Sequence, residues 1–363
     1  MSSLSLPRIN LKLNKMKKNL RNILALALGL MTTVSFAQDM NVDSRTRIDM
    51  SGDGDKMSTD QRVTVGTTWG GDNWGIVLSS DVNYTTNDGT NGTLNANVYE
   101  AYATTDLFGF ASMNIGRQAL SYGSGVFVGT NDWAATRNTV DGMTFAIDND
   151  LVGLDLGLNS QSNDDGTSSI DNMWLNASKS QGDWSANLLY LSLGSNGADA
   201  NTAMGLDFTY SAMGGALDLN VSYNTTSFDG VDGDMMDISG TYTVNDDMSL
   251  TAGMASVGED GFTYLASGNM TGDWMSHGNL GQLAANEENL YIGGSYNMGD
   301  FSLAATMSTV TNTEDDNYER SATDISVGYS LTDNASLSYR MVTDNNGTET
   351  DATYNWLTLT VTP

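Results

Sequence analysis

The 363-residue chain has no cysteine, one histidine and two prolines, and only 15 Lys and Arg against 44 Asp and Glu. Without cysteine there is no disulfide framework and no thiolate metal site. One histidine excludes a zinc constellation. That residue, His277, lies in a polar connection with no spacing to a serine that would suggest a held nucleophile, and reads as a solvated loop side chain. No catalytic residue, metal or cofactor is expected. The prolines are Pro7 and Pro363, so every residue between them keeps a backbone N–H for ladder bonding, which favours sheet.

The one long apolar run, Ile23 to Met31, is far shorter than the roughly 20 residues of a membrane helix. It follows Lys17, Lys18 and Arg21 and precedes Ser35-Phe36-Ala37, the order of a secretory signal peptide. Residues 16–37 are read as that peptide, cleaved near Ala37, residues 1–15 as an upstream extension, and 38–363 as the mature body. Six of the basic side chains and none of the acids lie before Gln38, so nine bases face 44 acids, a formal charge of −35. Such a surface repels phosphate backbones, which argues against nucleic acid and favours cations as companions.

The mature body is a succession of alternating segments of about ten residues between Gly, Asn, Asp and Ser clusters. In "AMGLDFTYS", Met204, Leu206, Phe208 and Tyr210 share one face while Gly205, Asp207 and Thr209 share the other. Strands of a soluble sandwich are typically nearer five or six residues. About nine to eleven, with aromatics near the ends and small polar residues on the second face, is what a tilted strand needs to cross an outer membrane. The fold expected is an all-β transmembrane antiparallel β-barrel in the outer-membrane lipid.

Short turns at 70–72, 106–107, 149–150, 180–182, 211–214, 245–246, 299–300 and 332–334 alternate with longer polar connections. The latter are expected at 51–59, 85–94, 118–140, 162–170, 194–200, 226–233, 258–286, 312–318 and 344–350, with a small ribbon at Phe262 to Ala266 inside the seventh. That rhythm predicts eighteen strands with both termini on the short-turn side. A barrel of this size encloses an aqueous lumen. The third long connection carries Tyr122, Phe127, Asp132, Trp133 and Arg137, with Arg117 counted to the constriction at its start, and burying its rings against the wall would fold it into the lumen.

The run "IGRQALSYGSGVFVGTNDWAATRNTVDGMTF" resembles the third-loop region of the Gram-negative outer-membrane porin superfamily, and within it the alginate-export branch. Gly116, Arg117, Gln118, Tyr122, Gly123, Gly129, Trp133, Arg137, Asp141 and Gly142 carry the resemblance in order. It implies a channel rather than an enzyme, and leaves homotrimer and monomer both open. The last strand, "YNWLTLTVTP", departs by ending in Pro363 where many such barrels end in an aromatic residue.

If apolar residues face lipid, the residues between them face the lumen. This puts Asp43, Arg45, Arg47 and Asp49 of the first strand, Arg62 of the second and Arg340 of the seventeenth inside. It also puts Asp155, Asp207, Asp218, Asp237 and Asp324 inside, most of them across the lumen from the arginines, either as a transverse field or with each charge solvated or paired with a neighbour on the same wall. Alternation from Ala111, Met113 and Ile115 points Arg117 to lipid, whereas a bulge at Gly116 would turn it inward. Arg137 is expected to anchor the loop to wall carboxylates. Asp49, Asp53 and Asp55 form a cation-friendly loop without the spacing of a calcium site. The function expected is diffusion of small hydrophilic solutes and ions, cations preferred. The alternatives are a polysaccharide exporter, for which nine basic residues are few, and a non-conducting barrel whose acidic loops bind cations or adhere.

Overall fold

The computed structural model describes residues 38–51, 57–86, 93–147, 151–162, 169–194, 200–265, 270–278, 280–347 and 351–363. Residues 1–37, and Asp53 and Asp55, lie outside them. The described chain forms eighteen strands: β1 Gln38–Asp49, β2 Ser58–Gly71, β3 Trp74–Thr86, β4 Thr93–Leu107, β5 Ala111–Gln118, β6 Val140–Ile147, β7 Gly153–Ser162, β8 Ser169–Gln181, β9 Trp184–Leu193, β10 Asn201–Ala212, β11 Leu217–Phe228, β12 Val231–Asn245, β13 Met248–Val257, β14 Glu287–Met298, β15 Phe301–Asn312, β16 Asp315–Thr332, β17 Ala335–Asp344 and β18 Ala352–Val361. Each pairs antiparallel with its neighbour in sequence. β1 also pairs with β18, Ser44 opposite Val361 through Asp49 opposite Trp356, and this closes the ring.

The alternation sorts the faces. In β10, Met204, Leu206, Phe208 and Tyr210 are exposed on the outer surface, each more than 40%. Asp207 and Thr209 point the other way and line a cavity inside. Apolar side chains on the surface of a closed barrel with no sheet edge are what a hydrocarbon layer demands.

Three details differ from the sequence expectation. The connection expected at 226–233 is a two-residue turn, Asp229-Gly230, with φ of 52° and 81° between Phe228 and Val231. An Asp-Gly pair between alternating segments favours this type I′ geometry, and the strands extend to meet it. The connection expected at 312–318 shrinks likewise to two residues between Asn312 and Asp315. Among the described residues of Phe262 to Ala266 there is no strand. Phe262 and Tyr264 instead form a ring contact, with centroids 4.8 Å apart.

The apolar core does not follow the strand rule. Val126, Phe127 and Val128 of connection 119–139 cluster with Leu265, Met270, Trp274, Leu280 and Leu283 of connection 258–286. Both pack on apolar side chains of the inner wall, including Trp174, Leu191, Met235 and Val310. Two long connections thus share a single buried nucleus.

Candidate functional site

The segment 119–139 is fastened to the wall at many points by charge and hydrogen bonds. Arg45 of β1 donates through Nη1 to Asp132 O (2.5 Å) and through Nη2 to Ala134 O (3.2 Å). Arg47 donates to Trp133 O at 3.0 Å, and its guanidinium lies 4.2 Å from the Trp133 ring centroid. Arg62 of β2 reaches Asp132 O at 3.1 Å and Ala134 O at 3.3 Å. Three arginines therefore converge on the carbonyl groups of three consecutive residues, and Trp133 meets Trp356 edge to face at 5.8 Å.

A second fastening is ionic. Arg137 bonds both carboxylate oxygens of Asp81 on β3, at 3.0 and 2.5 Å, donates to Thr64 Oγ1, and lies 3.3 Å above the Tyr99 ring. Burial opposes the charge of Arg137, but the Asp81 carboxylate outweighs it and holds the guanidinium pKa above its ordinary value. Asp132 is mostly exposed, 3.6 Å from Arg137.

On the far side of the ring, Ser124 N donates to Asp207 Oδ2 of β10 at 3.1 Å and Ser124 Oγ meets Ser222 Oγ of β11 at 3.0 Å. Tyr122 accepts a hydrogen bond from Trp174 Nε1 of β8 at 3.1 Å. Burial pushes the Tyr122 phenol up to about 12, the tryptophan donor pulling the other way.

The two long connections also hold each other. Asp273 N donates to Gly125 O, Gly129 N to Thr271 O, and Asn131 N to Asp273 Oδ2 at 2.8 Å. A Cβ on Gly129 would lie 2.0 Å from Asp273 Oδ1, so the glycine is what admits the carboxylate. His277 lies in the connection with its side chain 40% exposed, but it is not free. Its Nε2 is 3.1 Å from Asp237 Oδ2 of β12, and its ring stacks on Tyr291 of β14 at 3.8 Å. The backbone carbonyl of His277 accepts from Ser308 Oγ and Asn289 Nδ2.

Two further expectations are decided by the strand register. Arg340 and Asp324 are partners on adjacent strands, with Nη2 and Oδ2 at 2.5 Å, and so do not oppose each other across the lumen. Arg117 belongs neither to the connection nor to the inner face. It bonds Asp141 at 2.6 Å on the outer face, both side chains being more than a third exposed. The register from Ala103–Ile115 through Tyr102–Gly116 to Ala101–Arg117 is unbroken, so no bulge rotates it inward. Gln118, the next residue, is buried and donates to Gly142 O.

Of the remaining predicted acids, Asp218 accepts from Ser211 Oγ, Asp155 lies opposite Asn176 across β7 and β8, and Asp43 and Asp49 are half-buried on β1. Asp81, Tyr99, Ser124 and Asp273 were missed by sequence reasoning. The alternation of "SSDVNY" assigns Asp81 to the inner face, whereas the partner of Asp273 is 142 residues away and leaves no local signal.

Two cavities of mixed polar and apolar lining flank the joined connections. One of about 820 Å³ is bordered by Ser124, Asn187, Asp207, Asp237 and His277. The other, about 550 Å³, is bordered by Asp132, Trp133 and Arg340, and both share Asp273, Trp274 and Met275.

A closed eighteen-strand barrel with an apolar exterior and a polar interior defines an outer-membrane channel. The chain belongs to the Gram-negative porin family, whose sequence model matches residues 24–354. No curated protein sequence matches it. Among solved structures it is similar to three proteins of Pseudomonas aeruginosa. These are OpdK, solved with vanillate (TM-score 0.71, 12% identity, 91% of this chain and 100% of that one), OccK3 or OpdO (0.70, 13%, 90% and 95%), and OccK11 or OpdR (0.68, 13%, 90% and 95%). At such identities the likeness is one of fold. The matches support the porin superfamily without selecting its alginate-export branch.

Proposed function

We propose that the protein is a diffusion porin for small hydrophilic solutes and ions, preferring cations, with 119–139 folded into the lumen as the constriction. The contacts of that segment support the second half of the reading. A stretch bonded at once to β1, β2 and β3 and to β10 and β11 touches walls half a ring apart, which a loop lying outside would not do.

The observation that carries the cation preference is how the arginines are used. Arg137 is neutralised by Asp81 and Arg340 by Asp324, while Arg45, Arg47 and Arg62 keep their charge but are turned onto the carbonyl groups of 132–134, on the wall opposite the larger cavity. Asp207, Asp237 and Asp273 border the larger cavity with no arginine or lysine salt-bridge partner among the described residues. Field lines in a low-dielectric tube concentrate the sign that is left facing the water. A lumen of this kind offers an anionic polysaccharide little to hold.

The test is the reversal potential of purified protein in a planar bilayer under a salt gradient. Cation preference, growing as ionic strength falls, is expected, and anion preference at low salt would overturn the reading. Removal of residues 16–37 belongs to the same proposal, and the intact mass of outer-membrane protein reports it.

A further inference from the structure

Resting on that reading, we infer that Met275 is the side chain past which a solute crosses between the two cavities, and that its thioether chain sets the size of organic ion the barrel admits. The cavities have three residues in common, Asp273, Trp274 and Met275, all on connection 258–286. Two of the three are committed elsewhere. Asp273 donates its backbone N–H to Gly125 O and accepts from Asn131 N through Oδ2. Trp274 is buried, its ring stacked on Tyr264 with centroids 6.0 Å apart. That leaves Met275, which is 52% exposed and the one exposed residue of 270–278.

This exposure is not that of a slack loop. On the far side of Met275, Ser276 is buried, and its N–H and its hydroxyl both donate to Gly281 O. His277 follows, held by Asp237 and by the ring of Tyr291. The two residues before Met275 and the two after it are tied, so its backbone is fixed while its side chain alone is left in the water. Leu265 and Met270 of the same connection are buried in the apolar nucleus, and Met275 forgoes that burial. What it gains is position. A methionine chain is long, unbranched and flexible, so it swings aside for a small ion and obstructs a bulky one.

The assay is the reversal potential of purified protein in a planar bilayer with potassium on one side and choline, a bulkier cation, on the other. Met275→Ala should raise the permeability of choline relative to potassium and Met275→Trp should lower it, each by about threefold or more. A residue that only supports the fold would move both variants the same way. The chain has no cysteine, so Met275→Cys gives a second reading in the conducting barrel. A cationic methanethiosulfonate label there, verified by mass, should cut the single-channel current by about half or more. The same label on Asn220→Cys, at the wall of the larger cavity, should cut it far less. An unchanged permeability ratio, shifts of one sign in the Ala and Trp variants, a thiol at 275 that escapes the label, or a labelled 275 with full current would each overturn the inference and leave the porin reading intact. An anion-preferring barrel whose current the 275 label still cuts would sink the cation reading and leave the neck standing. A wild type without conductance would overturn both.

Discussion

Replacing Arg137 by alanine tests whether the joined connections set the channel's aperture. The ion pair with Asp81 is well enclosed, its side chains 10% and 3% exposed. Removing the guanidinium leaves the Asp81 carboxylate buried with the Thr64 hydroxyl as its remaining hydrogen-bond partner among the described residues. Breaking a buried pair from one side costs about 3–5 kcal/mol, chiefly from the stranded charge. At about 1.4 kcal/mol per decade, that shifts local docking of the 135–139 stretch by a hundred- to several-thousand-fold. The three arginines at 132–134 still hold their carbonyl groups, so the loop loosens at one end and is not lost. Single-channel recording should therefore show a larger and noisier open current than wild type. Arg137→Met combined with Asp81→Leu removes both charges and should restore most of the quiet, because neither charge is then stranded. Arg137→Ala with unchanged conductance and noise would refute the claim that this pair holds the aperture.

Gly116 has φ of +132°, and a Cβ there would lie 2.2 Å from Ala101 O. Gly116→Ala should cost about 1–3 kcal/mol of backbone strain, seen as a lower urea midpoint for unfolding from vesicles; an unchanged midpoint would show that the wall yields freely at β5. Tyr122 gives a pH dependence. Its folded pKa of about 12 lies above the ordinary value of 10, so its contribution is complete below about pH 10 and is lost as pH rises toward 12. The loss approaches about 1.4 kcal/mol per pH unit, so channel noise should grow over that interval and Tyr122→Phe should abolish the growth. Identical profiles for the two proteins would count against a buried phenol.

The wall was legible and the interior was not. Period-two alternation fixes which side chains share a face, so β10 and β17 could be assigned from Met204 to Tyr210 and from Leu337 to Met341 alone. Counting connections gave eighteen strands even though 226–233 and 312–318 proved to be tight turns, because a shorter turn changes strand length and leaves parity intact. Alternation says nothing about what a side chain meets across the lumen. The Arg45, Arg47 and Arg62 cluster was placed on the inner face, but its partners are backbone carbonyl groups some 70 to 90 residues away, for which no side-chain pattern exists. His277 looked solvated for the same reason, since its partner Asp237 lies 40 residues earlier on another strand. One signal was available and passed over: in "ANLLYLSL", Leu189 and Leu191 are apolar on the face that should be polar. Both are buried in the nucleus of the two connections, as a loop-docking patch requires.

The pairing of β1 with β18 makes assembly of the cylinder an event of the whole chain. Its partners, Ser44 and Val361 at one end, are separated by nearly the full length of the barrel sequence, so no local segment can form this contact early. Until the last strand arrives, β1 and β17 each present a row of unmatched N–H and C=O groups to a medium without water to satisfy them. Incomplete chains are thus denied a resting place in the bilayer, and the quality of the final strand decides whether seventeen others amount to a membrane protein.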